Sequence, residues 1–126
     1  MSEYLLYRSL SEQLLGAAFT VHNALGPGLL ESVYEEAVCV ELTHRGIPHA
    51  RQVRYPVHYR GVLIGEYVAD LVADGKILLE LKSVKRLTEA AEAQTINYLK
   101  LSRLEVGYLM NFHVTRLEWK RFVNGG

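Results

Sequence analysis

Asp74-Gly75 stands between two apolar runs, Val62 to Ala73 and Lys76 to Lys82. A pair of this kind between strand-like runs is a strong hairpin signal. The hairpin sets Asp70 and Glu80 on neighbouring strands. Each is a carboxylate inside an apolar stretch, Tyr67-Val68-Ala69-Asp70-Leu71-Val72 in one case and Ile77-Leu78-Leu79-Glu80 in the other. A carboxylate so placed loses hydration and needs a metal or a partner to offset that loss. Register decides whether the two acids meet. A two-residue loop pairs Asp70 with Leu79 and puts the acids on opposite faces. A three-residue loop, with Gly75 left-handed in a bulge, pairs Asp70 with Glu80. A shared site requires the longer loop.

The rest of the chain supplies an α/β frame. Ser9 and Glu12 have the spacing of a capping box, which starts a helix near Leu10. Leu10, Leu14, Ala17, Val21 and Leu25 then give one apolar face. Gly26-Pro27-Gly28 ends that helix. A second helix is expected from about Leu29 to Arg45, with Leu30, Val33, Ala37, Val40 and Glu41 marking one side. From Ala50 to Tyr59 the period changes to two, and Val53, Tyr55, Val57 and Tyr59 share a face. Arg60-Gly61 turns the chain into Val62–Ala73, a long strand that Gly65 allows to bend. Lys76–Lys82 is the third strand, and its Ile77-Leu78-Leu79 run predicts burial on both faces. Thr88 caps a third helix, about Glu89 to Ser102. Strands near Glu105–Phe112 and Leu117–Phe122 follow. The predicted order is α-α-β-β-β-α-β-β in one domain, residues 1–126, with helices packed on a mixed sheet.

Glu80 and Lys82 are two apart, so on a strand they share a face, while Leu81 points to the core. Two acids and a lysine in that arrangement can hold a hard cation and orient a water. Magnesium takes about two carboxylates, a backbone carbonyl such as that of Leu81, and several waters. Such an ion polarises a phosphate and helps generate the attacking hydroxide. Lys82 either positions that water or stabilises developing negative charge. The competing interpretation is a pair of satisfied, half-buried acids bonded to Lys82 and its neighbours.

Gly28-Leu29-Leu30-Glu31-Ser32-Val33-Tyr34 resembles the pattern that names the GxxExxY proteins, a group within the PD-(D/E)xK nuclease superfamily. The resemblance runs from about His22 to Phe112. It includes His22 with Leu25-Gly26-Pro27-Gly28, Ala69-Asp70, Glu80-Leu81-Lys82, and Gln94 with Tyr98. It implies a restriction-endonuclease-like core, metal binding by Asp70 and Glu80, and Lys82 as the catalytic lysine. Glu31 resembles the helix acid that assists metal binding in the RecB-like branch, and Gln94 with Tyr98 resembles that branch's helix motif. Ala69 stands where the superfamily usually has proline.

Spacing agrees with these roles. Glu31 and Tyr34 are three apart on a helix, and Gln94 and Tyr98 are four apart, so each pair shares a face. Gln94 then bonds a metal-bound water or a phosphate, and Tyr98 stacks on a base or supports Lys82. In the first turn of a helix a carboxylate is favoured in any case, so helix-end stabilisation is the other reading of Glu31. Lys85 and Arg86 directly follow the third strand and are placed to touch a phosphate backbone. His22 fits best as a structural hydrogen-bond anchor. The other histidines lack ligand spacing, so no zinc site is expected.

Composition narrows the classes. Fourteen basic and fourteen acidic residues cancel, so any basic face for nucleic acid must be local. The single cysteine, Cys39, forbids an internal disulfide and suits a reducing compartment. It lies in an apolar run and reads as a small core residue. The N-terminus shows no signal-peptide pattern, and no apolar run approaches the ~20 residues that span a bilayer. The resulting expectation is a cytoplasmic, magnesium-dependent nuclease (with manganese as a substitute) acting on nucleic acid, DNA by preference. It would work with a protein partner or as a homodimer. The alternative is a scaffold that kept the fold and lost the activity.

Overall fold

The computed structural model describes residues 6–124. The beginning of the chain, expected to carry no leader, lies partly outside them. Within them, helices α1 (Arg8–Leu25) and α2 (Glu31–His44) precede strands β1 (His49–Tyr59), β2 (Val62–Ala73) and β3 (Ile77–Lys82). Helix α3 (Glu89–Ser102) and strands β4 (Val106–Asn111) and β5 (Glu118–Val123) follow. The element order is the one expected.

The strands form one sheet in chain order, β1 to β5. Its pairs are antiparallel except β3 with β4, which run parallel and are joined by α3 as the crossover. One core lies between the sheet and the two N-terminal helices. It holds Leu14, Val21, Tyr34, Leu42, Leu79, Leu81 and Phe112. A smaller core under α3 holds Tyr67, Ala69, Val72, Leu78 and Leu99. Ile77, Leu78 and Leu79 are all buried, split between the two cores as a strand covered on both faces requires. The arrangement is a restriction-endonuclease-like α/β fold.

Three local expectations are corrected. Ser9 does not cap α1, which begins at Arg8 after a left-handed Tyr7; Glu12 instead pairs with Arg8 one turn back. On α2 the buried side is Tyr34, Val38 and Leu42, while Leu30, Val33 and Val40 are exposed. Both sets have helical spacing, and the position of the sheet selects the first. On β1, Val53, Tyr55 and Val57 pack under α3 as a set, but Tyr59 lies near the hairpin end and is exposed. Thr88 caps α3 as expected, its hydroxyl accepting from the Ala91 amide. No helix among the described residues is long and apolar enough to cross a membrane.

Candidate metal centre

The β2–β3 turn has three residues. Ala73 pairs with Ile77, Val72 with Leu78 and Leu71 with Leu79, a register that sets Asp70 opposite Glu80. Gly75 is left-handed as expected, but Asp74 is left-handed too, and the Lys76 amide closes the turn on the Ala73 carbonyl at 2.9 Å. The turn is thus a tight one with both central residues at positive φ, and Lys76 is the extra residue.

Pairing between β2 and β3 ends at Leu71 and Leu79, and the two carboxyls lie where the strands part. The Asp70 amide donates to Glu80 Oε2 at 3.1 Å, and the Leu81 amide donates to Asp70 Oδ2 at 2.8 Å. Tyr67 donates its hydroxyl to Glu80 Oε1. Glu80 is 5% exposed. Burial, and secondly the charge of Asp70, push its pKa up to about 8. Burial also raises Asp70, and the Leu81 amide offsets part of that rise. Two acids so close and so dry cannot both stay ionised without a nearby cation. Two carboxylates beside an open cleft suit a hard divalent ion that keeps several waters. No three His, Cys, Asp or Glu side chains converge as a ready-made set among the described residues. Any ion here therefore relies on the Asp70–Glu80 pair plus oxygens from backbone and water.

One hollow borders Asp70 and a second borders Lys82. The one beside α2, about 510 Å³, is lined by Leu30, Glu31, Ser32, Glu35, Gln52 and Asp70. Glu31 therefore shares a cleft with Asp70, and it makes no ion pair among the described residues. Tyr34 explains its placement. The buried Tyr34 hydroxyl donates to the Gly26 carbonyl at 2.6 Å and accepts from the Leu29 amide at 3.0 Å, and its ring stacks on Phe112. It pins the Gly-Pro-Gly loop so that α2 starts at Glu31. Ser83 ties the same loop to the end of β3 by donating to the Leu29 carbonyl.

The second hollow, about 340 Å³ beside α3, is lined by residues including Lys82, Val84, Arg86, Thr88 and Gln94. Lys82 makes no ion pair or hydrogen bond through its ammonium among the described residues. Lys85 is exposed in the same loop but lines neither hollow. Tyr98 makes no hydrogen bond to Lys82 among the described residues. Its ring stacks on Tyr67, the residue that holds Glu80. His22 is buried and bonds the Val114 carbonyl at 2.8 Å, an anchor for the loop after β4.

Sequence reasoning missed Tyr67, Glu35 and Gln52. Tyr67 lies three residues before Asp70, and nothing in the strand pattern distinguishes it from any other apolar-facing tyrosine. Glu35 lies one turn after Glu31, and that spacing was the available signal. Gln52 had none. Among the basic residues of β1, Arg51 is bound to Glu35 and Glu36 and Arg54 to Glu66.

The family model of the PD-(D/E)XK nuclease superfamily matches residues 8–122. The chain belongs to that superfamily. No curated protein matches it. Among solved structures it is similar to one titled "Crystal structure of SSO0001", with a TM-score of 0.55 and 19% identity. That likeness covers 94% of this chain and 60% of the other, and at this identity it speaks for the fold alone.

Proposed function

We propose that the chain is a magnesium-dependent nuclease that hydrolyses phosphodiester bonds, with DNA as its substrate. The observation that carries this is the Asp70–Glu80 pair, two largely dehydrated carboxyls held side by side on a nuclease fold, with the Lys82 ammonium, unpaired among the described residues, on the same strand as Glu80. Asp70, Glu80 and the Leu81 carbonyl would hold the ion, with Glu31 facing it across the α2 cleft. Bound there, magnesium or manganese would polarise a phosphate oxygen and acidify a bound water. Lys82 supplies a positive charge where the phosphate becomes more negative, and Gln94 an amide that bonds the same phosphate or its water. Lys85 and Arg86 neutralise flanking phosphates. Tyr98 acts through Tyr67 by keeping that ring, and so Glu80, in place. The Gly28–Tyr34 pattern supports membership of the GxxExxY group, and the lone buried Cys39 suits the cytoplasm.

A scaffold reading has one observation in its favour. Arg51 and Arg54 are spent on ion pairs within the chain, so neither is free to grip a nucleic acid while those pairs hold. A cleavage panel over single- and double-stranded DNA and RNA, with magnesium, manganese or chelator, separates the two. The nuclease reading expects metal-dependent cleavage that Asp70→Ala and Lys82→Ala each reduce on the order of 10²–10³-fold. Activity untouched by both substitutions refutes this site. No cleavage of any substrate, with metal still bound at Asp70 and Glu80, supports the scaffold.

A further inference from the structure

The ladder between β1 and β2 has a gap at the site. Arg51 pairs with Leu71 and Val53 with Ala69, yet Gln52 and Asp70, which face each other between them, do not pair. The faces change across this gap. Leu71 belongs to the core under α1 and α2, whereas Ala69, which strict alternation would put on the same side, belongs to the core under α3. On β1, Arg51 likewise reaches α2 while Val53 packs under α3. Both strands make the same half-turn at the same place, and pairing resumes beyond it in the same register.

Of the two facing residues, Gln52 carries the positive φ, 50°, and Asp70 does not. A glutamine there is strained, because its Cβ crowds the backbone. Its side chain offsets this: the amide donates to both oxygens of Glu35, at 3.0 and 3.2 Å, on the cleft wall that Asp70 also lines.

We propose that Gln52 is a positioning residue for Asp70. Its left-handed backbone opens the ladder at one point and turns the Asp70 carboxyl toward β3, where the Leu81 amide receives it. A regular β1 would keep Asp70 in the alternation and send its side chain under α3. The consequence for metal binding rests on the reading of Asp70 as a ligand; the geometric claim does not.

Gln52→Gly and Gln52→Asn keep a residue that accepts positive φ, whereas Gln52→Ala and Gln52→Val penalise it in rising order. Two readouts apply to the full chain, amide hydrogen exchange of Leu81 without metal and manganese affinity by calorimetry. The glycine and asparagine variants are expected to keep Leu81 protection and manganese affinity within about threefold of wild type. The valine variant is expected to lose about 10-fold or more in Leu81 protection and about 10–100-fold in manganese affinity. The alanine variant should fall between and carries the comparison if valine prevents folding. Unchanged Leu81 protection in the alanine and valine variants would overturn the proposal, as would an equal loss in the glycine variant. If Asp70→Ala leaves manganese affinity intact, the metal reading fails instead, and the Leu81 exchange rates alone decide whether Gln52 positions Asp70.

Discussion

The hydroxyl of Tyr67 donates to Glu80 across the gap where β2 leaves β3, and the same ring stacks on Tyr98 from α3. A carboxylate fixed in this way is oriented before an ion arrives, and loss of such a partner typically costs ~10–100-fold in metal affinity. Tyr67→Phe, which keeps the ring and its stacking but leaves Glu80 Oε1 without its donor, should weaken manganese binding by about tenfold at the low end of that range and lower the melting temperature by no more than one lost buried hydrogen bond, about 1–3 kcal/mol, implies. Calorimetry beside a thermal melt checks both halves. A large drop in melting temperature with normal affinity would mark Tyr67 as a core residue only.

The buried acids make stability depend on pH in an unusual direction. Glu80 has an ordinary value of 4.5 and holds its proton up to about 8 in the folded chain. Between those values the folded state binds more protons than the unfolded one, so stability falls as pH rises. Burial raises Asp70 in the same sense. Melts from pH 4 to 9 in chelator should therefore show declining stability over that window. Magnesium should restore stability at the alkaline end by binding the ionised pair. Glu80→Gln should flatten the profile.

Asn111 is fully buried at the end of β4. Its side chain donates to the Val84 carbonyl and to Glu118, and accepts from the Val84 amide. Asn111→Leu leaves the Val84 groups unmatched, at a cost of about 1–3 kcal/mol. Chemical denaturation measures that loss. Faster exchange of the Val84 amide would show that the segment carrying Lys85 and Arg86 has come loose.

Gly107 on β4 lies under α3, and a methyl group there would meet Leu99 Cδ2 at 3.0 Å. Gly107→Val should destabilise the fold by about 1–3 kcal/mol through overpacking. The double variant with Leu99→Ala should recover part of the loss; strict additivity of the two would argue against contact between them.

The element order and the acid pair were legible because each rests on local rules: period, turn chemistry and the oddity of a carboxylate among aliphatic residues. What was not legible depends on neighbours distant in sequence. Helix α2 has two apolar sides, and only the sheet beneath it distinguishes Tyr34, Val38 and Leu42 from Leu30, Val33 and Val40. Nothing near Arg51 and Arg54 on β1 shows that Glu35, Glu36 and Glu66 will take up their charge. Gln52 sits in an alternating strand, and nothing before it announces a left-handed backbone. Tyr98 lies four residues after Gln94 and shares its helix face as expected, yet its partner is Tyr67, which the spacing could not supply.

The three-residue turn at Asp74, Gly75 and Lys76 is a ruler as much as a bend. Its side chains are exposed, so substitutions that tolerate the left-handed backbone should pass almost unnoticed. Its length is another matter. Removing one residue would shift β3 by a single step and carry Glu80 and Lys82 to the far side of the sheet, with Leu81 in their place. Among related chains, this surface loop should vary in letters and stay constant in number, a strict conservation of spacing at a site where composition drifts.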